Sequence, residues 1–250
     1  MLAMLLNHPT CEQYDLRSLK VASIGAAPLS VDLARQFSER TGCRIRQIYG
    51  MTENTGIGAG DRISRPYRPG STGPAYDDMQ LRVVDDNGND MPPGQSGEIV
   101  TRGPSTMKGY FKQAEETAKT IRGGWLHTGD IGYLDADGYL FVVDRKKDMI
   151  IKGGENIFPA EIENALYEHP DVAEAAAVGA PDAKYGEIVV AYVVPRGDAI
   201  PNEQDLIDHV KTQITPFKAP SRIHFIQALP KSGVGKILRR ELREMAKDGS

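Results

Sequence analysis

The sequence predicts an α/β protein built in two parts. A β-α-β unit leads into a small antiparallel β barrel or sheet, and a second, smaller α/β module follows. Three observations carry this expectation. The first fifty residues set two strand-like runs around one helical spacing. Residues from about 70 to 143 alternate in short runs between turn clusters. After the charged stretch Asp144-Arg145-Lys146-Lys147-Asp148, helical and strand patterns alternate again. The boundary is placed at Arg145–Lys147, giving domains of 1–146 and 147–250.

In the first part, Leu19 to Ile24 reads as a buried strand stopped by Gly25 and Pro28. Ser30 is a candidate N-cap for a helix over Val31–Arg40, whose apolar residues Leu33, Ala34 and Phe37 share a face and which Gly42 ends. Arg44–Tyr49 alternates as a second strand. Gln80–Val84, Glu98–Arg102 and Tyr139–Val143 read as hairpin strands around the turn clusters at 85–90 and 135–138. Neither cluster spaces Asp, Gly and a closing Glu as a calcium loop requires. In the second part, Pro159–His169, Glu203–Ile214 and Ile237–Lys247 are expected helices. Val172–Val178, Ile188–Val194 and Arg222–Ile226 are expected strands.

Composition narrows the function. Thirty Lys and Arg against thirty-four Asp and Glu leave a net charge of −4, which argues against a nucleic-acid binder. With 40% hydrophobic and 26% charged residues the chain reads as a soluble globular protein. Cys11 and Cys43 are the two cysteines, too few for a disulfide framework, so a reducing, cytoplasmic setting is expected. Peripheral membrane association and the oligomeric state stay open. The five histidines show no metal-ligand spacing. Met1–Leu6 is too short for a signal peptide or span and reads as a helix whose beginning is missing.

Several fragments invite chemistry, each with a plainer alternative. Lys231-Ser232-Gly233-Val234-Gly235-Lys236 suggests a phosphate loop. However, Pro230 occupies the first glycine position and Ile237 stands where Ser or Thr is needed. A lysine on a flexible, Gly-rich loop remains, and alone it fits a solvated basic loop better. Tyr49-Gly50-Met51-Thr52-Glu53 follows a strand, where open α/β sheets place ligand loops, and its hydroxyl and carboxylate suit phosphate and Mg²⁺; a helix start fits equally well. Asp130, closing Trp125-Leu126-His127-Thr128-Gly129-Asp130, can accept from vicinal hydroxyls such as those of ribose, or can simply form a turn before a strand. His127 reads as a packing or hydrogen-bonding residue rather than a catalyst. The charges of the last helix read as a salt-laced solvated face.

Taken together and in order, these fragments resemble the adenylate-forming superfamily of acyl-CoA synthetases, luciferases and peptide-synthetase adenylation domains. Gly25-Ala26-Ala27-Pro28 is similar to its adenine-side loop, and Tyr49 to Glu53 to its Y-G-x-T-E motif. Gly97-Glu98, Gly103 and Gly109-Tyr110 are similar to the following glycine/tyrosine motif. Thr128-Gly129-Asp130, Asp144 to Asp148, Lys152-Gly153-Gly154-Glu155-Asn156 and Pro230 to Lys236 match the remaining motifs. The family's upstream Ser/Thr/Gly-rich phosphate loop and most of its acyl pocket have no counterpart. The expectation is therefore the end of the large AMP-binding domain followed by the whole small C-terminal domain.

The resemblance implies carboxylate activation by ATP to an acyl-adenylate, then transfer to CoA. It implies that Lys236 bridges carboxylate and α-phosphate and that Thr52 binds phosphate oxygens. Glu53 would hold Mg²⁺. Tyr49 would stack on adenine, with Gly25, Ala26 and Ala27 lining it, and Gly50 and Met51 would also belong to the ATP/AMP site. Asp130 and Arg145 would take the ribose, Lys147 would be a hinge, and Lys152, Gly153 and Gly154 would line the CoA path. Lys231 is expected to matter much less than Lys236. The implied substrate is a carboxylic acid, a medium- or long-chain fatty acid above all, with aryl acids, a carrier-protein-loading role and a non-catalytic nucleotide-binding module as alternatives.

Overall fold

The computed structural model describes residues 2–6, 8, 10–25, 29, 31–197, 200–233 and 235–248. Ala26, Ala27, Pro28, the candidate N-cap Ser30 and Val234 lie outside the described residues. The chain divides into two compact units, 1–142 and 143–250.

In unit 1, the short helix α1 (Leu2–Leu6) and α2 (Val31–Thr41) flank β1 (Val21–Ile24) and β2 (Arg44–Tyr49), which pair in parallel. Ala34, Phe37, Cys43 and Ile45 are buried between α2 and these strands, so the apolar face read from the sequence is the packed one. A two-residue strand, β3 (Ala59–Gly60), pairs antiparallel to the end of β2. The chain then forms β4 (Gln80–Val84), β5 (Gly97–Arg102), α3 (Ala114–Thr120), β6 (Ile121–Arg122), β7 (Trp125–Leu134) and β8 (Leu140–Arg145). The sheet order is β4-β5-β7-β6, with β8 paired to β7. Tyr49, Ala59, Val83, Ile99 and Leu140 form one buried cluster that ties this sheet to the end of β2.

Two features here differ from the sequence expectation. Helix α3 was not foreseen, because it buries none of its residues and so carries no apolar periodicity. The expected turn before a strand at Ile131 is instead a bulge inside one ten-residue strand, β7. The register with β5 jumps there, from Glu98↔Ile131 to Val100↔His127, and Gly129 takes a φ of +70°. Bulges of this kind re-aim side chains.

Unit 2 begins within β8 and continues through the hairpin β9 (Ile150–Lys152) and β10 (Glu155–Ile157), α4 (Pro159–Tyr167), β11 (Val172–Asp182), β12 (Gly186–Pro195), α5 (Glu203–Gln213), β13 (Arg222–Phe225) and α6 (Arg239–Asp248). Asn202 caps α5, its side-chain oxygen accepting from the amides of Gln204 and Asp205. Strand β12 pairs antiparallel with β11 and parallel with β13. Ile162, Leu166, Leu206 and Val210 pack on one face of this sheet, while Leu242 and Ala246 of α6 pack on the other with Val178, Val190 and Tyr192. Strand β11 is an edge, and side chains cover it. Glu163 accepts from the Ala177 amide at 2.8 Å, and Arg239 donates to the Ala177 carbonyl at 3.0 Å. Together the two units give the α/β class that the patterning predicts.

Candidate active site

Each unit carries its own share of the expected site. In unit 1, Gly25 ends β1 against the backbone of β2. A Cβ at Gly25 would stand 2.8 Å from Ile48 Cγ1 and 3.0 Å from the Ile48 carbonyl oxygen, so a side chain has no room there. Tyr49 closes β2, and its hydroxyl donates to Asp130 Oδ2 at 2.8 Å. Asp130 owes its position to the bulge in β7. Its amide is bonded to Thr128 Oγ1 at 3.1 Å, and that hydroxyl donates to the Ile99 carbonyl at 2.7 Å. Two residues 81 positions apart in sequence, expected at adenine and at ribose, thus share one hydrogen bond. Tyr49 is 8% exposed and belongs to the core cluster.

The turn after Tyr49 is tightly built. At Gly50 a Cβ would meet the Gly56 carbonyl carbon at 2.3 Å. The Met51 amide donates to Asn54 Oδ1 at 2.8 Å, the Gly56 amide to the Met51 carbonyl at 2.8 Å, and Asn54 itself is fully buried. This turn leaves Thr52 exposed at the start of a single 3₁₀ turn, Thr52–Asn54. Glu53 Oε1 accepts from the Tyr110 hydroxyl at 2.8 Å, and its carbonyl accepts from the Met107 amide at 2.7 Å. The Glu53 hydrogen bond, with some help from burial, holds the Tyr110 phenol above its ordinary pKa. In the sequence Tyr110 stands out only as part of a motif; its contact with Glu53, 57 residues away, leaves no local signal. His127 Nδ1 lies 3.3 Å from the Glu98 carboxylate.

In unit 2, Arg145 is exposed at the end of β8, and Lys146–Asp148 form one 3₁₀ turn. The Lys147 carbonyl accepts from Arg243 at 3.1 Å, and the same guanidinium donates to Asp148 at 2.9 Å. Lys152, expected to line the CoA path, is buried, its ammonium donating to the Phe217 carbonyl at 2.6 Å and lying 4.7 Å from the Phe217 ring centre. Gly153 and Gly154, like Glu155 and Asn156 after them, are exposed. The two glycines form the two-residue loop between β9 and β10 with φ of +58° and +85°, a backbone that only glycine adopts without strain.

Lys236 is exposed at a hairpin and has, among the described residues, no ion-pair partner. The segment around it is more ordered than its glycines suggested. Lys231 and Ile237 form an antiparallel bridge, the Ser232 amide donates to the Lys236 carbonyl at 2.8 Å, and the Lys236 amide donates to Ser232 Oγ at 3.2 Å.

The donor set suits the expected ligands to a defined extent. Among the described residues no group of three or more His, Cys, Asp or Glu could hold a metal ion. A single carboxylate held by a phenol, as at Glu53, fits Mg²⁺, which takes one or two carboxylates and completes its shell with water and phosphate oxygens. The acceptor at Asp130 beside a buried aromatic fits a nucleoside. Among the described residues no helix is long and apolar enough to cross a membrane.

Comparison with known proteins agrees with this arrangement. Residues 1–111 match the family model described as AMP-binding enzyme, and residues 161–236 match AMP-binding enzyme C-terminal domain. The chain is 40% identical to a long-chain-fatty-acid–CoA ligase of Bacillus subtilis over 241 residues, covering 96% of this chain and 43% of that protein. It is 43% identical to a feruloyl-CoA synthase of an Amycolatopsis species over 237 residues, covering 94% and 48%. It superposes on ATP-bound MatB from Rhodopseudomonas palustris with a TM-score of 0.90 at 35% identity, covering 99% of this chain and 49% of that one. The chain thus spans about half the length of the curated relatives it matches. On sequence and fold alike, the chain belongs to the AMP-binding enzyme family, with its AMP-binding and C-terminal models matched in order along the chain.

Proposed function

We propose that these 250 residues supply the nucleotide-binding and lysine-bearing part of an AMP-forming acid–CoA ligase, with a medium- or long-chain fatty acid as the acid. The carrying observation is Lys236. It is a cation presented on an ordered hairpin with no ion-pair partner among the described residues, as a cation kept for an external anion would be. A carboxylate attacking a phosphate must approach a like charge, and a placed ammonium lowers that barrier. Thr52 would donate to phosphate oxygens, Tyr49 and Gly25 would bound the adenine side, and Asp130 with Arg145 would accept and orient the ribose. Glu53 would hold Mg²⁺, which when bound neutralises phosphate charge.

Lys147 is the proposed hinge by which Lys236 would be withdrawn before CoA enters, and Lys152, Gly153 and Gly154 would then border the CoA path. Identity to the Bacillus ligase supports the fatty acid, and identity to the feruloyl-CoA synthase supports an aryl acid as the second reading. ATP–pyrophosphate exchange in a full-length synthetase background, run with palmitate, octanoate and ferulate, separates the two. Exchange with none of these acids would refute both.

A further inference from the structure

Lys231 and Lys236 share the hairpin, yet the structure gives them opposite surroundings. Both are exposed, but Lys231 donates to Glu174 Oε1 at 2.6 Å, whereas Lys236 has no ion-pair partner among the described residues. Glu174 owes its orientation to a bulge at the start of β11, where the register steps from Val172↔Pro195 to Glu174↔Val194. Val172 points into the core under α4 and α5. Without the bulge Glu174 would share that face. The extra residue instead turns Glu174 to the other face, on which Ala176, Val178 and Ile237 pack with α6. A second anchor follows the hairpin at once. Arg239, the first residue of α6, pairs in a fork with both oxygens of Glu163 and donates to the Ala177 carbonyl. The segment from 231 to 239 is therefore fixed at both ends to neighbouring residues of β11, with Lys236 between.

We propose that the Glu174–Lys231 ion pair is a strut that sets the position of Lys236, so that Glu174 and Lys231 are positioning residues for the step in which Lys236 acts. The proposal rests on the function assigned to Lys236 above. It assigns Lys231 a mechanical part, distinct from contributing its own charge to a bound phosphate. A strut depends on the two charges being opposite, and which end bears which is immaterial. Direct electrostatic assistance requires the positive charge at 231 itself.

The test is a charge swap in a full-length synthetase background, with the two half-reactions measured separately. Both side chains are more than a third exposed, at 38% and 37%, and ion pairs of that exposure add little to stability, so the variants should fold. Lys231→Glu and Glu174→Lys should each slow ATP–pyrophosphate exchange by about tenfold, less than the roughly hundredfold cost of a full ångström of misplacement. Thioester formation from supplied acyl-AMP should stay unchanged in both. The double variant, with the charges exchanged, should recover exchange to within about threefold of the parent. A double variant as slow as Lys231→Glu would overturn the strut in favour of a direct role for the Lys231 charge. Equal losses in both half-reactions, or no loss in either single variant, would also overturn it. Lys236→Ala is run alongside. If it leaves exchange intact, the assignment of Lys236 has failed; if it abolishes exchange while the swap series is flat, only the strut has failed.

Discussion

The turn 49–58 of unit 1 and the hairpin 231–237 of unit 2 are both glycine-rich, and both present one residue proposed to meet phosphate. They are held in different ways. Around Thr52 order comes from crowding: Gly50 has no space for a Cβ, Asn54 is fully buried, and Glu53 is held by Tyr110. Around Lys236 order comes from hydrogen bonds and charge. Gly233 and Gly235 have nothing within 4 Å of an added Cβ, and the ends are secured by Lys231–Glu174 and Arg239–Glu163. Crowding fixes a site that waits for its ligand. Anchored hydrogen bonding lets a cation stand clear of the body that carries it, which suits a group that must be present for one step only.

The largest effect should come from the more buried anchor. The Arg239 and Glu163 side chains are 16% and 11% exposed, and burial, which lowers the guanidinium, is outweighed by its bond and charge contact with Glu163. Removing Arg239 strands a buried carboxylate and exposes the edge of β11. Arg239→Ala should therefore destabilise unit 2 by about 3–5 kcal/mol, read as a lower urea midpoint. A loss below about 1 kcal/mol would mean the anchor is ornamental. Lys236→Ala should do the reverse. Its stability effect should fall within about 0.5 kcal/mol, as for other exposed substitutions. Adenylation in a full-length background should still drop at least about a hundredfold, with thioester formation retained. An intact exchange reaction would remove Lys236 from the mechanism.

Much of the framework was legible because burial leaves a period in the sequence. Strand β2 runs from Arg44 to Tyr49 as its alternation implies, and α2 buries Ala34 and Phe37 as its spacing implies. Helix α3 left no such trace, since all its residues are at least partly exposed. The motif residues of the site were legible through their resemblance to a family, but their partners were not. The contacts Tyr49–Asp130, Glu53–Tyr110 and Lys231–Glu174 join residues more than fifty positions apart, and nothing local in the sequence encodes them. Lys152 shows the same: its motif is legible, but its contacts with the carbonyl and ring of Phe217, 65 positions away, are not.

A glycine pair sharpens the comparison at smaller scale. Gly50→Ala forces a methyl to within 2.3 Å of the Gly56 backbone, which cannot yield as a side chain would, and should cost about 1–3 kcal/mol. Gly233→Ala enters open space without a positive φ, and restricting the unfolded chain should leave stability unchanged or raised by up to about 1 kcal/mol. Thermal unfolding of the two variants checks both signs. Equal destabilisation would show that the hairpin is crowded after all.

The smallest effect concerns Tyr110 and is a matter of pH. The Glu53 hydrogen bond keeps its phenol protonated beyond the ordinary range, so the folded state holds this proton more tightly than the unfolded chain. Below the unfolded phenol's value, near pH 10, both states are protonated and the contribution is fully present. As pH climbs toward the raised folded value, the unfolded chain releases the proton first, and the contribution is progressively lost. Tyr110→Phe removes this linkage and leaves Glu53 without its donor. The parent's unfolding midpoint should therefore fall more steeply than the variant's as the pH rises past the ordinary tyrosine value of about 10. Difference absorbance of tyrosinate between the two proteins should place the missing titration above the ordinary tyrosine value. At neutral pH the same variant should bind Mn²⁺, used as a paramagnetic stand-in for Mg²⁺, more weakly in the presence of ATP, because a carboxylate without its phenol partner is less well oriented. Parallel pH profiles for parent and variant would show that the Glu53–Tyr110 contact does not hold the carboxylate in solution.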